Sequence, residues 1–503
     1  MSIPGLGQFT PQPTASTTRT ITLRPFWEWR FSVPRSSRSS GNSSSTSTGT
    51  LSIRLLSGTA ERDGTELALN HSYTFSRAKS KILTYTGCTI EVTGDYGIGG
   101  DGSGLTQYPS PEASPALAHL NLHFALQAQR TAAAQQQQQR QQQQQQPSQQ
   151  QSQQHNGGAT TTTASAKPGP RIMICGPQGS GKTTLARTLT ALATRVGAQP
   201  LAANIDPREG LLALPGTVSA AVFGTVMDAE DPQGGFGVAS TPSSGPSVVP
   251  VKLPMVYYFG RERVGEDAGL WRDLVVKLGS SVRAKFAADQ SVRAAGLVLD
   301  TPAVAEGEEM GDGVEGLVHA VREFAVNIVV VIGSAAIHTE LQRRLEKEKT
   351  AHGESITLLL LDKSDGVQQR DAEFMKAVQE GAIKEYFFGD SKRTLSPFTQ
   401  SVSFDDVAIF KTPDDADLYD NAQGLEPAEI SAEMSHWTLA VMNASVNDPP
   451  ETIRQAPVMG FVAVADVDED RRRLKILSPV SGRLGNQPLV WGRWPEPYIN
   501  LLG

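Results

Sequence analysis

The sequence predicts an α/β protein: a central, doubly wound parallel sheet flanked by an N-terminal β-sandwich domain and a C-terminal β-rich (α+β) domain. Three observations carry that expectation. From Arg171 onward, nearly continuous apolar strands alternate with helical patterns, as expected of strands whose two faces are both covered by helices. From Thr20 to Gly94, short runs alternate apolar and polar residues between turn formers such as Asp63-Gly64 and Asn70. After Ser396 the short runs return. A chain of 503 residues, at roughly 150 per domain, agrees with three parts.

Taken in order, residues 1–19 are polar, carry Pro4, Pro11 and Pro13 and have no apolar leader, so they are expected to be disordered and not secreted. Residues 20–112 form the N-terminal β domain, with strands at Ile21–Leu23, Glu28–Val33, Leu51–Leu55, Ser72–Phe75, Ile82–Tyr85 and Cys88–Val92. The Ser-rich stretch 35–50 falls between the second and third strands and reads as an enlarged hairpin loop. Leu117, Leu120, Phe124 and Leu126 recur at helical spacing, which predicts a connecting helix over 113–134. The glutamine tract and its polar continuation, 135–169, read as a flexible tether, because so few apolar residues cannot offset the entropy of ordering.

The central domain, 170–392, alternates strand and helix. Strands are expected at Ile172–Cys175, Gln199–Ile205, Ala294–Leu299, Asn327–Ile332 and Ser355–Leu361, and helices at Gly181–Arg195, Val314–Phe324 and Glu340–Glu348. The C-terminal domain, 393–503, shows strands at Val407–Phe410, Met459–Val464 and Arg473–Leu477.

Composition removes several function classes. No apolar run approaches the roughly 18 residues needed to span a bilayer. Two cysteines, Cys88 and Cys175, supply neither a disulfide framework nor a four-thiolate zinc site and suit a reducing compartment. A net charge of -7 argues against bulk electrostatic attachment to nucleic acid. The histidines are scattered without ligand spacing, and the tryptophans read as core fillers.

One motif carries chemistry. Gly176-Pro177-Gln178-Gly179-Ser180-Gly181-Lys182-Thr183 is an intact G-x-x-x-x-G-K-[ST] between a strand and a helix. The glycines let successive backbone N–H groups turn inward around phosphate oxygens, and the helix start adds its positive end. Lys182 is expected on the β and γ phosphates, and the Thr183 hydroxyl on Mg²⁺. The central sheet is thus of the P-loop NTPase type. A second carboxylate belongs beside the metal. Asp206, ending the next strand, is the first candidate; its plainer reading is a turn former before Pro207. Asp300, after Leu299, competes with it, and the sequence does not separate the two.

Beyond these motifs the chain resembles the eukaryotic polyribonucleotide 5′-hydroxyl-kinase family, and within it the Clp-type subunit of pre-mRNA cleavage and polyadenylation factor IA. The resemblance rests on Ser57-Gly58-Thr59-Ala60-Glu61, Gly64 to Ala68, Tyr73-Thr74-Phe75, Gly87 to Ile90, Pro215-Gly216-Thr217, Pro254 to Gly260, Lys363 to Val367, Ile383 to Gly389 and Leu477-Ser478-Pro479. It spans nearly the whole chain, and the low-complexity insertions are similar to those of filamentous fungi. It implies ATP held between the N-terminal β domain and the P-loop domain, with Glu28 and Lys79 toward the nucleoside and Gly179 to Thr184 on the phosphates.

The chain departs from the family's active kinases where they grip RNA. Their Asp-x-Gly-Gln-Gly is Asp206-Pro207-Arg208-Glu209-Gly210 here. Their clasp tryptophan is replaced by Val304, and of two lid arginines only Arg370 remains, Met375 standing at the second position. A lost base-stacking platform costs about 1–3 kcal/mol, and loss of a charge-stabilising arginine on the order of 10³-fold in rate. The resemblance therefore implies a nuclear, ATP-binding, non-catalytic scaffold in which Asp206 and Arg370 are vestigial. Its expected partners are other cleavage factor IA subunits, above all the one that binds the RNA polymerase II C-terminal domain, with contact to pre-mRNA only indirect. The alternative expectation is an active ATP-dependent RNA 5′-hydroxyl kinase.

Overall fold

The computed structural model describes residues 18–33, 50–76, 78–94, 105–106, 114–145, 167–230, 236–237, 254–307, 310–367, 370–389, 394–413, 424–479 and 486–497. The chain divides into two compact units, one of residues 1–62, 66–109 and 229–232, the other of 63–65, 110–228 and 233–503.

The first unit is a β-sandwich. Its strands are β1 (Thr18–Leu23), β2 (Glu28–Ser32), β3 (Thr50–Gly58), β4 (Glu61–Arg62), β5 (Thr65–Glu66), β6 (Ser72–Ser76), β7 (Lys79–Leu83), β8 (Cys88–Gly94) and β9 (Leu105–Thr106). They form two sheets, in the orders β1-β8-β3-β6 and β5-β4-β7-β2-β9. Period-two alternation explains the layering: Leu51, Ile53 and Leu55 of β3 and Trp29 and Phe31 of β2 all point into one core. Trp29 and Phe31 stack at 5.2 Å, and Phe31 meets Phe75 at 5.3 Å. We expect Trp29→Ala to destabilise the protein by about 3–5 kcal/mol in denaturant titration, since a fully buried indole leaves a cavity its neighbours cannot fill.

The six expected strands are present, but the expected hairpin is not. β2 pairs with β7 and β9, whereas β3 pairs with β6 and β8. The two strands lie in different sheets and bury their apolar faces in one shared core. Residues 34–49 themselves lie outside the described residues. Residues 229–232 also belong to this unit: Thr74 N–H donates to Glu230 Oε1 at 2.7 Å.

The second unit contains a seven-stranded sheet built from β10 (Arg171–Cys175), β11 (Leu201–Asn204), β12 (Thr217–Val222), β13 (Met255–Tyr258), β14 (Leu297–Asp300), β15 (Ile328–Ile332) and β16 (Thr357–Leu361). Its order is β13-β12-β11-β14-β10-β15-β16. The five strands from β11 to β16 along that order are parallel, as expected, and β12 and β13 extend them antiparallel. Helices α2 (Lys182–Arg195), α3 (Ala268–Ala288), α4 (Gln290–Ala295), α5 (Met310–Glu323), α6 (Ala335–Leu345) and α7 (Ala372–Phe388) belong to the same unit. One core cluster joins Trp271 and Leu274 of α3 and Leu317 of α5 to the sheet. Another joins Leu185 and Leu189 of α2 to it.

Three boundaries differ from expectation. Ala294 and Ala295 close α4, and β14 starts only after Gly296, whose positive φ of 82° and contact with the Pro170 carbonyl exclude a side chain. Helix α6 starts at Ala335, because the Ser334 hydroxyl accepts from Ile337 N–H and caps it there. Helix α1 (Pro115–Gln145) runs well into the expected tether. Glutamine is a good helix former, and this part of α1 has a seam to follow: Arg130 donates to the Ala295 carbonyl at 2.9 Å, and the Gln141 amide bonds the Gln290 side chain.

The C-terminal strands β17 (Phe398–Ser403), β18 (Ile409–Lys411), β19 (Glu426–Pro427), β20 (Thr438–Met442), β21 (Val458–Asp468), β22 (Arg473–Ser478) and β23 (Leu489–Trp491) form a sheet in the order β17-β22-β21-β20-β23-β18-β19. Leu214, Tyr258, Ile383 and Tyr386 share a core with Ala440, Met442 and Phe461 of this sheet. The Phe461 N–H donates to the Tyr386 hydroxyl at 2.9 Å.

Candidate nucleotide site

The site lies where β10 gives way to α2. Gly176, Gly179 and Gly181 adopt φ values of 148°, 65° and 99°, so the chain curls as only glycine permits. A side chain at Gly176 would come within 2.5 Å of the Ile332 carbonyl, so the loop stays close against β15. Val304 N–H fixes it from the other side, donating to the Gly176 carbonyl at 3.2 Å. Gly181 is the N-cap of α2, and no side chain caps the helix. Its first N–H groups are therefore left for an anion.

The side chains fit phosphate. The Ser180 hydroxyl is buried and has no hydrogen-bond partner among the described residues. Lys182 is 8% exposed, and among the described residues its Nζ donates to the loop's own Gly176 and Pro177 carbonyls, at 3.3 and 3.1 Å. Such bonds are readily exchanged for stronger ones to phosphate oxygens.

Strand register sets which carboxylate meets Thr183. Parallel pairing sets Asp300 opposite Ile174 and Asn204 at the C-terminal edge of the sheet, where ligands of such folds gather. Thr183 Oγ1 donates to Asp300 Oδ2 at 2.7 Å. Asp206 instead turns back on its own chain, Oδ1 accepting Arg208 N–H at 3.0 Å, which is the turn-forming role. Among the described residues no group of three or more His, Cys, Asp and Glu could hold a metal alone. That donor set fits Mg²⁺, which is usually held by one or two protein oxygens together with phosphate and water.

A third carboxylate enters that was not anticipated. Glu209 Oε2 accepts from Thr183 Oγ1 at 3.4 Å, and Oε1 meets Arg370 Nη1 at 3.4 Å. Burial would raise the Glu209 carboxyl, but Arg370, Arg187 and Lys182 outweigh it and hold it below the usual carboxylate range. Burial and then the Glu209 charge push Asp206 up to about 7 and Asp300 up to about 6. Arg187 was equally unforeseen, although its place one helical turn after Thr183 on α2 is a legible signal.

Of the other expected site residues, Arg370 does reach the loop's surroundings, through Glu209. Val304 is 3% exposed and packs in the core above β10, and Met375 is buried on α7. In the first unit, β2 and β7 pair Glu28 with Leu83 and Ser32 with Lys79. Strand alternation therefore places Glu28, Arg30, Lys79 and Lys81 on one sheet face, opposite the core face of Trp29 and Phe31. Glu28 is fully buried, and its carboxylate accepts from Arg30 Nη2 at 2.9 Å and from the Lys81 ammonium. Burial opposes its ionisation, but Lys81 and Arg30 keep it below the ordinary value.

A glycine-curled loop after a buried strand, a lysine at the start of the following helix and a threonine bonded to a sheet-edge aspartate define a P-loop nucleotide-binding protein. Residues 176–389 match the family described as mRNA cleavage and polyadenylation factor CLP1 P-loop, residues 395–496 that of pre-mRNA cleavage complex II protein Clp1, and residues 22–133 the N-terminal beta-sandwich domain of polyadenylation factor. The chain is 67% identical to the mRNA cleavage and polyadenylation factor CLP1 of Chaetomium globosum and 57% identical to that of Neurospora crassa, over the full length of both partners in each case. The chain belongs to the CLP1 family of mRNA cleavage and polyadenylation factors. Among solved structures it shares its fold with Clp1p in a wild-type Clp1p–Pcf11p complex, with a TM-score of 0.75 and 24% identity over 95% of this chain and 98% of that one. A second Clp1p structure, describing an extended interface with Pcf11p and ATP loss in a point mutant, has a TM-score of 0.76 and 24% identity over 95% of this chain and 99% of that one.

Proposed function

We propose that this protein is an ATP- and Mg²⁺-binding, non-catalytic scaffold subunit of the nuclear machinery that cleaves and polyadenylates pre-mRNA 3′ ends. The observation that carries the reading is an asymmetry. The nucleotide side keeps its loop, the orphaned Ser180 hydroxyl, Lys182 and the Thr183–Asp300 bond. The positions where the kinases it resembles carry a clasp aromatic and a second lid cation hold Val304 and Met375, both spent on the core. Gly176, Gly179 and Thr184 complete the phosphate cradle in this reading, and Thr183 with Asp300 holds the metal in place of Asp206. When bound, Mg²⁺ neutralises phosphate charge; the chain's own part is to present N–H groups, one ammonium and one hydroxyl.

A partner of the Pcf11 kind is supported by the company the structural relatives keep, and nuclear residence by the process for which the sequence relatives are named. The test is twofold. Denatured full-length protein should release intact ATP, and the native protein should transfer no γ-phosphate to a 5′-hydroxyl oligoribonucleotide. Transfer that Lys182→Ala abolishes would overturn the scaffold reading and establish a kinase.

A further inference from the structure

Glu209 is placed as no phosphate-binding loop requires. It is about one-fifth exposed and stands between the metal-side hydroxyl of Thr183 and the guanidinium of Arg370, which lies 161 residues away in sequence. Arg187 and Lys182 also act on its charge. The adjoining Gly210 has a positive φ of 58° and leaves no room for a side chain beside Leu214 and Pro215. Around the phosphate end of the site, three cations (Lys182, Arg187 and Arg370) face three carboxylates (Asp206, Glu209 and Asp300). The formal side-chain charges cancel, so a metal-free triphosphate is attracted mainly by the N–H groups of the loop and the start of α2, and Glu209 adds a repulsion at short range. A divalent cation at Thr183 changes this, because the Glu209 and Asp300 oxygens that converge on that hydroxyl then face positive charge.

We propose that Glu209 is an internal counter-anion, a positioning residue that holds the pocket's cations until a metal-bound triphosphate takes them over, and that it thereby makes nucleotide capture depend on the divalent metal. This rests on the reading of the loop as an ATP site, and deepens it.

The test is equilibrium dialysis of radiolabelled ATP against full-length protein, once with Mg²⁺ and once with EDTA. The wild type is expected to bind on the order of 100-fold more weakly in EDTA, and Glu209→Gln to narrow that ratio about tenfold by tightening metal-free binding. Glu209→Asp, which keeps the charge, should stay near the wild-type ratio. Arg370→Gln removes the cation in contact with Glu209, leaving only Arg187 and Lys182 to oppose its charge, and should widen the ratio; it serves as the reading if Glu209→Gln does not fold. An unchanged ratio in Glu209→Gln, or in Arg370→Gln where that variant is the one read, overturns the proposal while leaving the ATP site standing. A wild type that binds ATP under neither condition overturns the site reading together with it.

Discussion

Lys182→Ala is expected to lose ATP and, with it, a large share of the protein's working stability. A ligand present at about 1,000 times its Kd adds roughly 4 kcal/mol to unfolding, and an ammonium aimed at the phosphates is central to that affinity. The ligand-free protein should lose less, because Lys182 Nζ bonds two carbonyls of its own loop, bonds of about 1 kcal/mol or less each, and its charge offsets only in part those of Glu209, Asp206 and Asp300. Thermal melts of both proteins with and without Mg²⁺ and ATP check this. The two curves should lie close together without ligand and separate further with it. A variant equally destabilised in both conditions would mean that Lys182 is a structural lysine.

Asp206→Asn and Asp300→Asn should part company. Burial, reinforced by the charge of Glu209, carries Asp206 from the ordinary 3.8 up to about 7 and Asp300 up to about 6. A folded-state value above the unfolded one means that ionisation opposes folding. Stability of the ligand-free protein therefore falls as pH rises from about 4 through 6 to 7 and stays lowered above that range. Asparagine removes the cost, so each variant should gain on the order of 1–4 kcal/mol at pH 8 and little at pH 4.5 in denaturant titrations. With ATP and Mg²⁺ the two diverge. Asp300→Asn loses the carboxylate bonded to Thr183 and should weaken binding by about tenfold or more, whereas Asp206→Asn should retain it. The opposite order would return the metal role to Asp206.

Much of this was legible because it is local. The strand Ile172–Cys175, the octapeptide and helix α2 are contiguous, and each residue type has one physical job. The β-sandwich strands announced themselves by alternation. What stayed hidden depends on register or distance. That Asp300 meets Thr183 follows from how β14 pairs with β10, which no spacing reveals. Glu209 gains its meaning from Arg370 across the sheet edge. Strand β12, Thr-Val-Ser-Ala-Ala-Val, is buried on both faces with small residues and carries no strong period, so the antiparallel extension of the sheet went unannounced. The hairpin expected between β2 and β3 failed for a related reason: adjacency in sequence does not say whether two apolar strands lie edge to edge or face to face.

The seam between α1 and α4 sets a rule for how the glutamine tract can change in length. Each residue inserted in a helix rotates everything after it by about 100° relative to what precedes. A residue inserted between Arg130, anchored at Ala295, and Gln141, anchored at Gln290, turns the original Gln141 away from its partner. Within a run of glutamines the next one along then takes up the vacated position, unless Arg140 is the residue that lands there. The seam therefore accepts a change of length wherever a glutamine, and not Arg140, comes to lie beside Gln290.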